Sequence, residues 1–345
     1  MQIQNAIATL VERESLSEAD MYAVMQQIMR GEATSAQIAG LSIALRMKGE
    51  TVDELTAAAR VMRDYSRRVP CERENLIDTC GTGGDGASLF NVSTTAAFVV
   101  AAAGGAVAKH GNKSISSTSG SSDVLEAAGV RLDIDSAHIV RCIEHVGVGF
   151  MYAPAHHSAM KHAIGPRREM GVRTFFNLLG PLANPAGVKR QVLGVYDRRW
   201  LRIMASVLGK LGSQHVMVVH SSDGLDELSI AAPTFVCEFK HGELHEYEVL
   251  PEAVGLTRQS LADCQVSSVD ESLSVMRSVL KNEATAARDM VLLNAGAALL
   301  VAGLVRDMRA GVDMASDALA SGLALEKLKE LVAFTQLPYE EGEEI

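Results

Sequence analysis

The stretch Leu76-Ile77-Asp78-Thr79-Cys80-Gly81-Thr82-Gly83-Gly84-Asp85-Gly86 decides how this chain is read. Leu76-Ile77-Asp78 reads as a short buried strand that runs directly into a loop of glycines. Small apolar residues from Thr94 to Ala103 then predict a closely packed helix, and Val107-Ala108 opens a second strand. Further out, short apolar runs at 146–151, 192–195 and 216–219 alternate with helical patterns such as 200–211. Such alternation predicts an α/β domain with a central, largely parallel sheet flanked by helices.

The flanks are helical. Ser17-Glu18-Ala19-Asp20, Thr34-Ser35-Ala36-Gln37 and Thr51-Val52-Asp53-Glu54 have capping-box spacing, with Gly31 and Gly49 where helix C-terminal glycines belong. Met21, Val24, Met25 and Ile28 recur at i, i+3, i+4, i+7 and share one face, read here as core. Residues 268–334 return to long Ala/Leu/Met-rich helices, and 340–345 form a loose acidic end. The expected organisation is a helical domain over 1–70, with some later helical segments packing on it, and an α/β domain over 71–345.

Composition bounds the function. The chain has 345 residues, 48% apolar and 21% charged, too apolar for a disordered polymer. Its longest nearly uncharged runs, 96–108 and 291–305, fall short of the roughly 18 residues of a membrane span and are expected as buried helices. Residues 1–14 lack the basic cap and apolar core of a secretory signal. Five cysteines are scattered without a C-x-x-C pair, so neither a disulfide framework nor a zinc cluster is expected, and a cytoplasmic protein is. A net charge of −10, one tryptophan and 4% aromatics argue against nucleic acid as a partner.

The loops carry the chemistry. Gly81-x-Gly83-x-x-Gly86 after a strand satisfies the dinucleotide-binding fingerprint. However, the end of the second strand offers Lys109 and His110 where that fingerprint wants an acid for a ribose hydroxyl. Asp85 inside the loop would repel a bare pyrophosphate, and makes sense if a divalent metal screens the phosphates or if the ligand presents sugar hydroxyls. A Walker loop is excluded because no Lys-Ser or Lys-Thr follows the last glycine. Asn91-Val92-Ser93-Thr94 opens the next helix and reads equally as a cap or as an anion site at a helix N-terminus. Lys109-His110-Gly111-Asn112-Lys113-Ser114 and the hydroxyl-rich run to Asp123 lie between a strand and a helix expected over 123–128. We read them as a cup for a second phosphate rather than a linker.

These blocks resemble the signatures of the anthranilate phosphoribosyltransferase family. Asp78-x-x-Gly81-Thr82-Gly83-Gly84-Asp85, Asn91-Val92-Ser93-Thr94, Lys109-His110-Gly111-Asn112, Arg173–Leu182 with Asn184-Pro185, and Gly224-Leu225-Asp226-Glu227 follow in the family's order. The resemblance implies a nucleoside phosphorylase/phosphoribosyltransferase-like fold, a homodimer, and a site between a small helical and a larger α/β domain. It implies transfer of phosphoribose from phosphoribosyl pyrophosphate (PRPP) to the amine of anthranilate, with release of pyrophosphate, in tryptophan biosynthesis.

By that resemblance Gly81, Gly84, Asp85, Asn91, Ser93, Thr94, Lys109 and Ser121 bind PRPP. Gly81, His110, Asn112, Pro154 and Arg167 bind anthranilate, Arg167 pairing with its carboxylate. Two Mg²⁺ ions per subunit are implied, one on Ser93 and one on Asp226-Glu227; adjacent carboxylates are more often a solvated turn, but hard oxygens suit magnesium. His156 and His157 are read as lining. No general base is assigned. The chain departs from the family's pattern at Lys113, Ser158 and Gly165-Pro166, all near the acceptor wall. Rival readings are a pyrimidine nucleoside phosphorylase of the same fold, a non-catalytic nucleic-acid-binding relative, and an NAD-dependent dehydrogenase.

Overall fold

The computed structural model describes residues 1–113 and 119–338. The hydroxyls at 114–118 and the acidic end at 340–345 therefore lie outside the described residues. Four helices open the chain: α1 (Ile3–Val11), α2 (Glu18–Met29), α3 (Ser35–Lys48) and α4 (Val52–Asp64). Their starts are set by local chemistry. The Ser17 hydroxyl accepts the Asp20 N–H, while Thr34 with Gln37 and Thr51 with Glu54 form complete capping boxes, so donors that the helix leaves unmet are satisfied. Met21, Val24, Met25 and Ile28 are wholly buried, which makes the methionine-rich face core. Glu54 is buried as well: Oε2 lies 3.0 Å from Lys48 Nζ, and Oε1 accepts the Leu16 N–H at 2.9 Å. That one carboxylate fastens α4 to α3 and to the α1–α2 connection.

The α/β part contains β1 (Leu76–Gly81), β2 (Ala106–Gly111), β3 (Val148–Tyr152), β4 (Arg190–Gly194), β5 (His215–Ser221), β6 (Thr234–Lys240) and β7 (Glu243–Val249). They form one seven-stranded sheet in the order β3-β2-β1-β4-β5-β6-β7. Pairings from β3 to β5 are parallel, as expected; β6 and β7 add an antiparallel hairpin that the sequence reading did not anticipate. Its turn residues His241 and Gly242 both have positive φ, 53° and 86°, as in a two-residue hairpin turn.

Side chains leave the sheet with period two. Ile77, Val107, Val192, Met217 and Val219 face one apolar cluster with α5 (Val92–Ala102) and the helix Ala286–Ala302, whereas Leu193, Val216 and Val218 face the other. The second cluster also holds the N-terminal helices, the helix Trp200–Lys210, and Phe175, Phe176, Leu178 and Leu179. Helices Lys161–Met170 and Phe176–Leu182 thus pack with α2–α4.

Two boundaries differ from expectation. The uncharged run 96–108, expected as one buried helix, is the second half of α5, a turn at Gly104-Gly105 and the start of β2. Both pieces are buried, because helix and strand bury apolar residues equally well and the run alone does not tell them apart. The helix expected over 123–128 begins earlier, as α6 (Ser121–Ala128). Among the described residues no helix is long and apolar enough to cross a membrane.

Candidate active site

β1 lies between β2 and β4, so connections leave it on both sides and a crevice opens beyond the strand ends, where open parallel sheets bind ligands. Four segments meet there: the loop 81–86 leaving β1, the start of α5, the end of β2, and the segment after β5 that carries Asp226 and Glu227. Gly81 and Gly194 let that last segment cross the strand ends. A methyl group on Gly81 would stand 2.4 Å from Asp226 Oδ2, and one on Gly194 would stand 1.5 Å from the Asp226 carbonyl oxygen. Asp226 Oδ2 accepts the Gly83 N–H at 2.7 Å. Glu227 lies near the backbone N–H of Ser93, which sets the carboxylate pair close to the head of α5.

Lys109 is 3% exposed and is the cation of this cluster. Its Nζ donates to Ser93 Oγ at 3.2 Å and to the Thr79 carbonyl. Beneath it Asp78, fully buried, accepts from Asn184 Nδ2 at 2.8 Å and from the His110 N–H at 3.3 Å. Burial pushes the Asp78 carboxyl up and the Lys109 ammonium down, and the charge of each opposes the shift of the other. Asp226 and Glu227 are both held above the ordinary carboxylate range. Burial is the main cause for both, with Asp85 adding repulsion at Asp226 and Asp226 adding it at Glu227. Three carboxylates therefore share a site short of positive charge. Among the described residues no three His, Cys, Asp or Glu side chains could hold a metal unaided. That donor set fits magnesium, which takes one or two carboxylates and completes its shell with water and substrate phosphate.

Asn91 precedes α5 yet makes no side-chain cap. Its Oδ1 accepts from Ser119 Oγ at 2.8 Å and from Ser272 Oγ at 2.7 Å, so it anchors the segment leading into α6 to the helix Val269–Leu280. The Thr94 and Ser122 hydroxyls are buried without a partner. Ser121 Oγ and the Ser122 N–H both point to the Asn112 carbonyl, at 3.5 and 3.3 Å.

A second wall runs from the end of β2 to the helix Lys161–Met170. The His110 and His157 rings meet edge to face with centroids 5.1 Å apart, and both Nε2 atoms are buried without a partner. Burial pushes both imidazoles down, His157 to about 4, so both are neutral at pH 7. Arg167 is half-buried with its guanidinium 5.6 Å from the Phe176 ring centroid and no carboxylate partner among the described residues. Asn112 and Pro154 are exposed, just beyond β2 and β3.

Gly81, Asp85, Ser93, Lys109, Asp226 and Glu227 thus share one cluster, with Gly84 in the same loop and Asn91, Thr94 and Ser121 at its edge. His110 joins it to the second wall through the Asp78 bond. No hydrogen bond or ring contact among the described residues links Arg167 or Pro154 to the cluster. Sequence reasoning gave no role to Asp78 or Asn184; the available signal was an ionisable residue inside an otherwise apolar strand. It also missed the Arg173 guanidinium, which donates to the Gly84 carbonyl.

Comparison with known proteins agrees with this architecture. The family descriptions "Glycosyl transferase family, helical bundle domain" and "Glycosyl transferase family, a/b domain" match residues 4–66 and 73–325. The anthranilate phosphoribosyltransferase of Thioalkalivibrio sulfidiphilus is 58% identical over 335 residues, covering 97% of this chain and 99% of its own. That of Teredinibacter turnerae is 58% identical over 341 residues, covering 98% and 100%. The crystal structure of the Thermus thermophilus enzyme superposes with a TM-score of 0.91 at 42% identity, covering 96% of this chain and 99% of that one. The Saccharomyces cerevisiae enzyme in complex with PRPP and Mg shares the fold, with a TM-score of 0.88 at 24% identity over 96% of this chain and 97% of that one. This chain belongs to the anthranilate phosphoribosyltransferase family.

Proposed function

We propose that the crevice at the ends of β1 and β4 transfers phosphoribose from PRPP to anthranilate, with the donor on the glycine-loop cluster and the acceptor on the Arg167 wall. The observation that carries this reading is the convergence of the loop 81–86, Ser93, Lys109 and Asp226-Glu227 at one strand edge, together with a half-buried arginine on the helix Lys161–Met170 that has no carboxylate partner among the described residues. In the reaction the C1–oxygen bond to pyrophosphate breaks, the amine nitrogen bonds to C1, and the nitrogen loses a proton. Positive charge builds on the ribose and negative charge on the leaving group, in a transition state like that of glycoside cleavage.

Lys109 and the glycine-loop amides stabilise the departing pyrophosphate; held in place beforehand, they need no reorganisation as charge develops. When bound, two magnesium ions, one at Ser93 and one at Asp226-Glu227, would neutralise phosphate charge. Asp226 and Glu227 would supply the anionic oxygens for one of them. Arg167 binds the acceptor carboxylate over the Phe176 face, and the neutral His110–His157 pair lines the wall without competing for that anion. Asn112 and Pro154 border it from the ends of β2 and β3. The chain carries no covalent nucleophile in this scheme, because positioning two bound substrates and stabilising the leaving group suffice.

The direct test follows the loss of anthranilate fluorescence with purified protein, PRPP and Mg²⁺, omitting each in turn. Turnover that requires all three is expected; PRPP binding without turnover would reject anthranilate as the acceptor. The homodimer is assigned to the N-terminal helices, where Val11 and Met47 leave 64% and 72% of their surface exposed. Val11→Glu with Met47→Glu should yield a sedimenting monomer, and a surviving dimer would refute that face.

A further inference from the structure

Arg173 lies on the short connection between the helix carrying Arg167 and the helix Phe176–Leu182. Three contacts define its place. Its guanidinium donates to the carbonyl of Gly84 in the donor loop. The same group lies over the Tyr196 ring, 4.4 Å from the centroid. Its own carbonyl accepts from Arg46 of α3. Gly84 is shaped for this approach, since a methyl group there would stand 2.7 Å from an Arg173 nitrogen, and its φ of 85° suits glycine. Tyr196 is bound to the same loop, its N–H donating to Thr82 Oγ1 at 3.1 Å. Among the described residues Arg173 has no carboxylate partner, so its charge stays available beside an anion-binding loop.

We propose that Arg173 is a positioning residue that keys the donor loop to the acceptor-carrying arm, setting the presentation of the loop amides to PRPP. The proposal rests on the assignment of that loop to the donor. Arg173 fits the task because a planar guanidinium stacks on an aromatic face while donating in its own plane. Lysine, a point charge on a flexible stem, does only part of this. Arg46 supports the residue from behind, so α3 takes part in holding the loop through Arg173.

The chain contains a single tryptophan, and it reports on this contact. Trp200 is 3% exposed and its Nε1 donates to the Tyr196 hydroxyl at 3.2 Å. A path of direct contacts therefore runs from the loop through Arg173 and Tyr196 to the indole.

The test compares wild type, Arg173→Met and Arg173→Lys as full-length proteins, by steady-state kinetics and by Trp200 emission during PRPP and Mg²⁺ titration without anthranilate. Loss of one charge-assisted hydrogen bond should raise KM for PRPP about tenfold in Arg173→Met, with kcat and KM for anthranilate within about twofold and Arg173→Lys intermediate. The PRPP-induced change in Trp200 emission should fall to less than half in Arg173→Met, the Thr82–Tyr196 bond carrying what remains. An unchanged KM for PRPP would overturn the proposal, as would an undiminished emission change, or a joint fall of kcat and both affinities with a lowered Tm. Failure of wild type to use anthranilate would instead strike the acceptor assignment, and the emission titration would still decide the role of Arg173.

Discussion

Replacing His157 with asparagine should flatten the acid dependence of stability. His157 is 8% exposed, its Nε2 has no partner, and burial lowers its pKa to about 4. In the unfolded chain a histidine titrates near 6.5. The unfolded state therefore takes up a proton between these values that the folded state refuses. Stability is fully present above pH 6.5 and falls as the pH drops toward 4. Integrating proton uptake, this single residue removes about 2 kcal/mol by pH 5 and about 3 kcal/mol by pH 4. The Ala183 carbonyl lies near the ring, and an asparagine amide can donate there without titrating. His110 is also held well below its ordinary value, chiefly by burial, and is present in both proteins, so its own contribution cancels in the comparison. Urea unfolding of both proteins at pH 7, 6 and 5 checks this. Between pH 7 and 5 wild type should lose about 2 kcal/mol more than His157→Asn; parallel curves would refute the burial argument.

Other outcomes follow from single contacts. Arg167→Met should raise KM for anthranilate about a hundredfold, the worth of a paired, charge-assisted bond, and leave KM for PRPP nearly unchanged; equal losses in both would sink the assignment. Gly81→Ala places a methyl group 2.4 Å from Asp226 Oδ2, so the carboxylate must move. PRPP use should weaken more than tenfold and Tm should fall as well, since the carboxylate that must move is buried and holds the Gly83 N–H; a wild-type KM would contradict the contact. Glu54→Gln strands Lys48, whose side chain is 5% exposed, without its counter-charge. A loss of about 3–5 kcal/mol is expected by chemical denaturation, and a loss below about 1 kcal/mol would show the pair to be solvated.

What could be read in the sequence was what local chemistry decides. Thr34 with Gln37 and Thr51 with Glu54 announce helix starts because the bonds close within one turn. The glycine loop could be read for the same reason, as a strand ending in residues free to take positive φ. The β6–β7 hairpin escaped because its turn, His241-Gly242, lacks the usual Asn-Gly or Asp-Gly, and residues 234–240 do not alternate strictly, with Phe235-Val236-Cys237 apolar in a row. Asn91 illustrates the deeper limit. Ahead of a helix it looks like a cap, yet its amide is spent on Ser119 and Ser272, the second 181 positions away. Arg173 and Gly84, 89 positions apart, have no local pattern that could link them.

The N-terminal helices carry none of the residues proposed for the donor and acceptor sites, yet the proposed reaction depends on them. The donor cluster stands on the ends of a rigid sheet, so its geometry is set by β1, β2 and β4. Arg167 stands on a helix outside that sheet, and what fixes this helix is α3 and the cluster of Met25, Leu41, Phe175 and Phe176. The packing is close: a methyl group on Gly31, after α2, would stand 2.6 Å from His162 on the Arg167 helix. Transfer between two bound molecules requires reacting atoms within about 3–3.5 Å. In the proposed transfer, an error in the seating of α3 becomes an error in the distance from amine to C1. The bundle serves as the ruler of the active site, and Arg46, on α3 and in contact with Arg173, is the point where that ruler meets the donor loop.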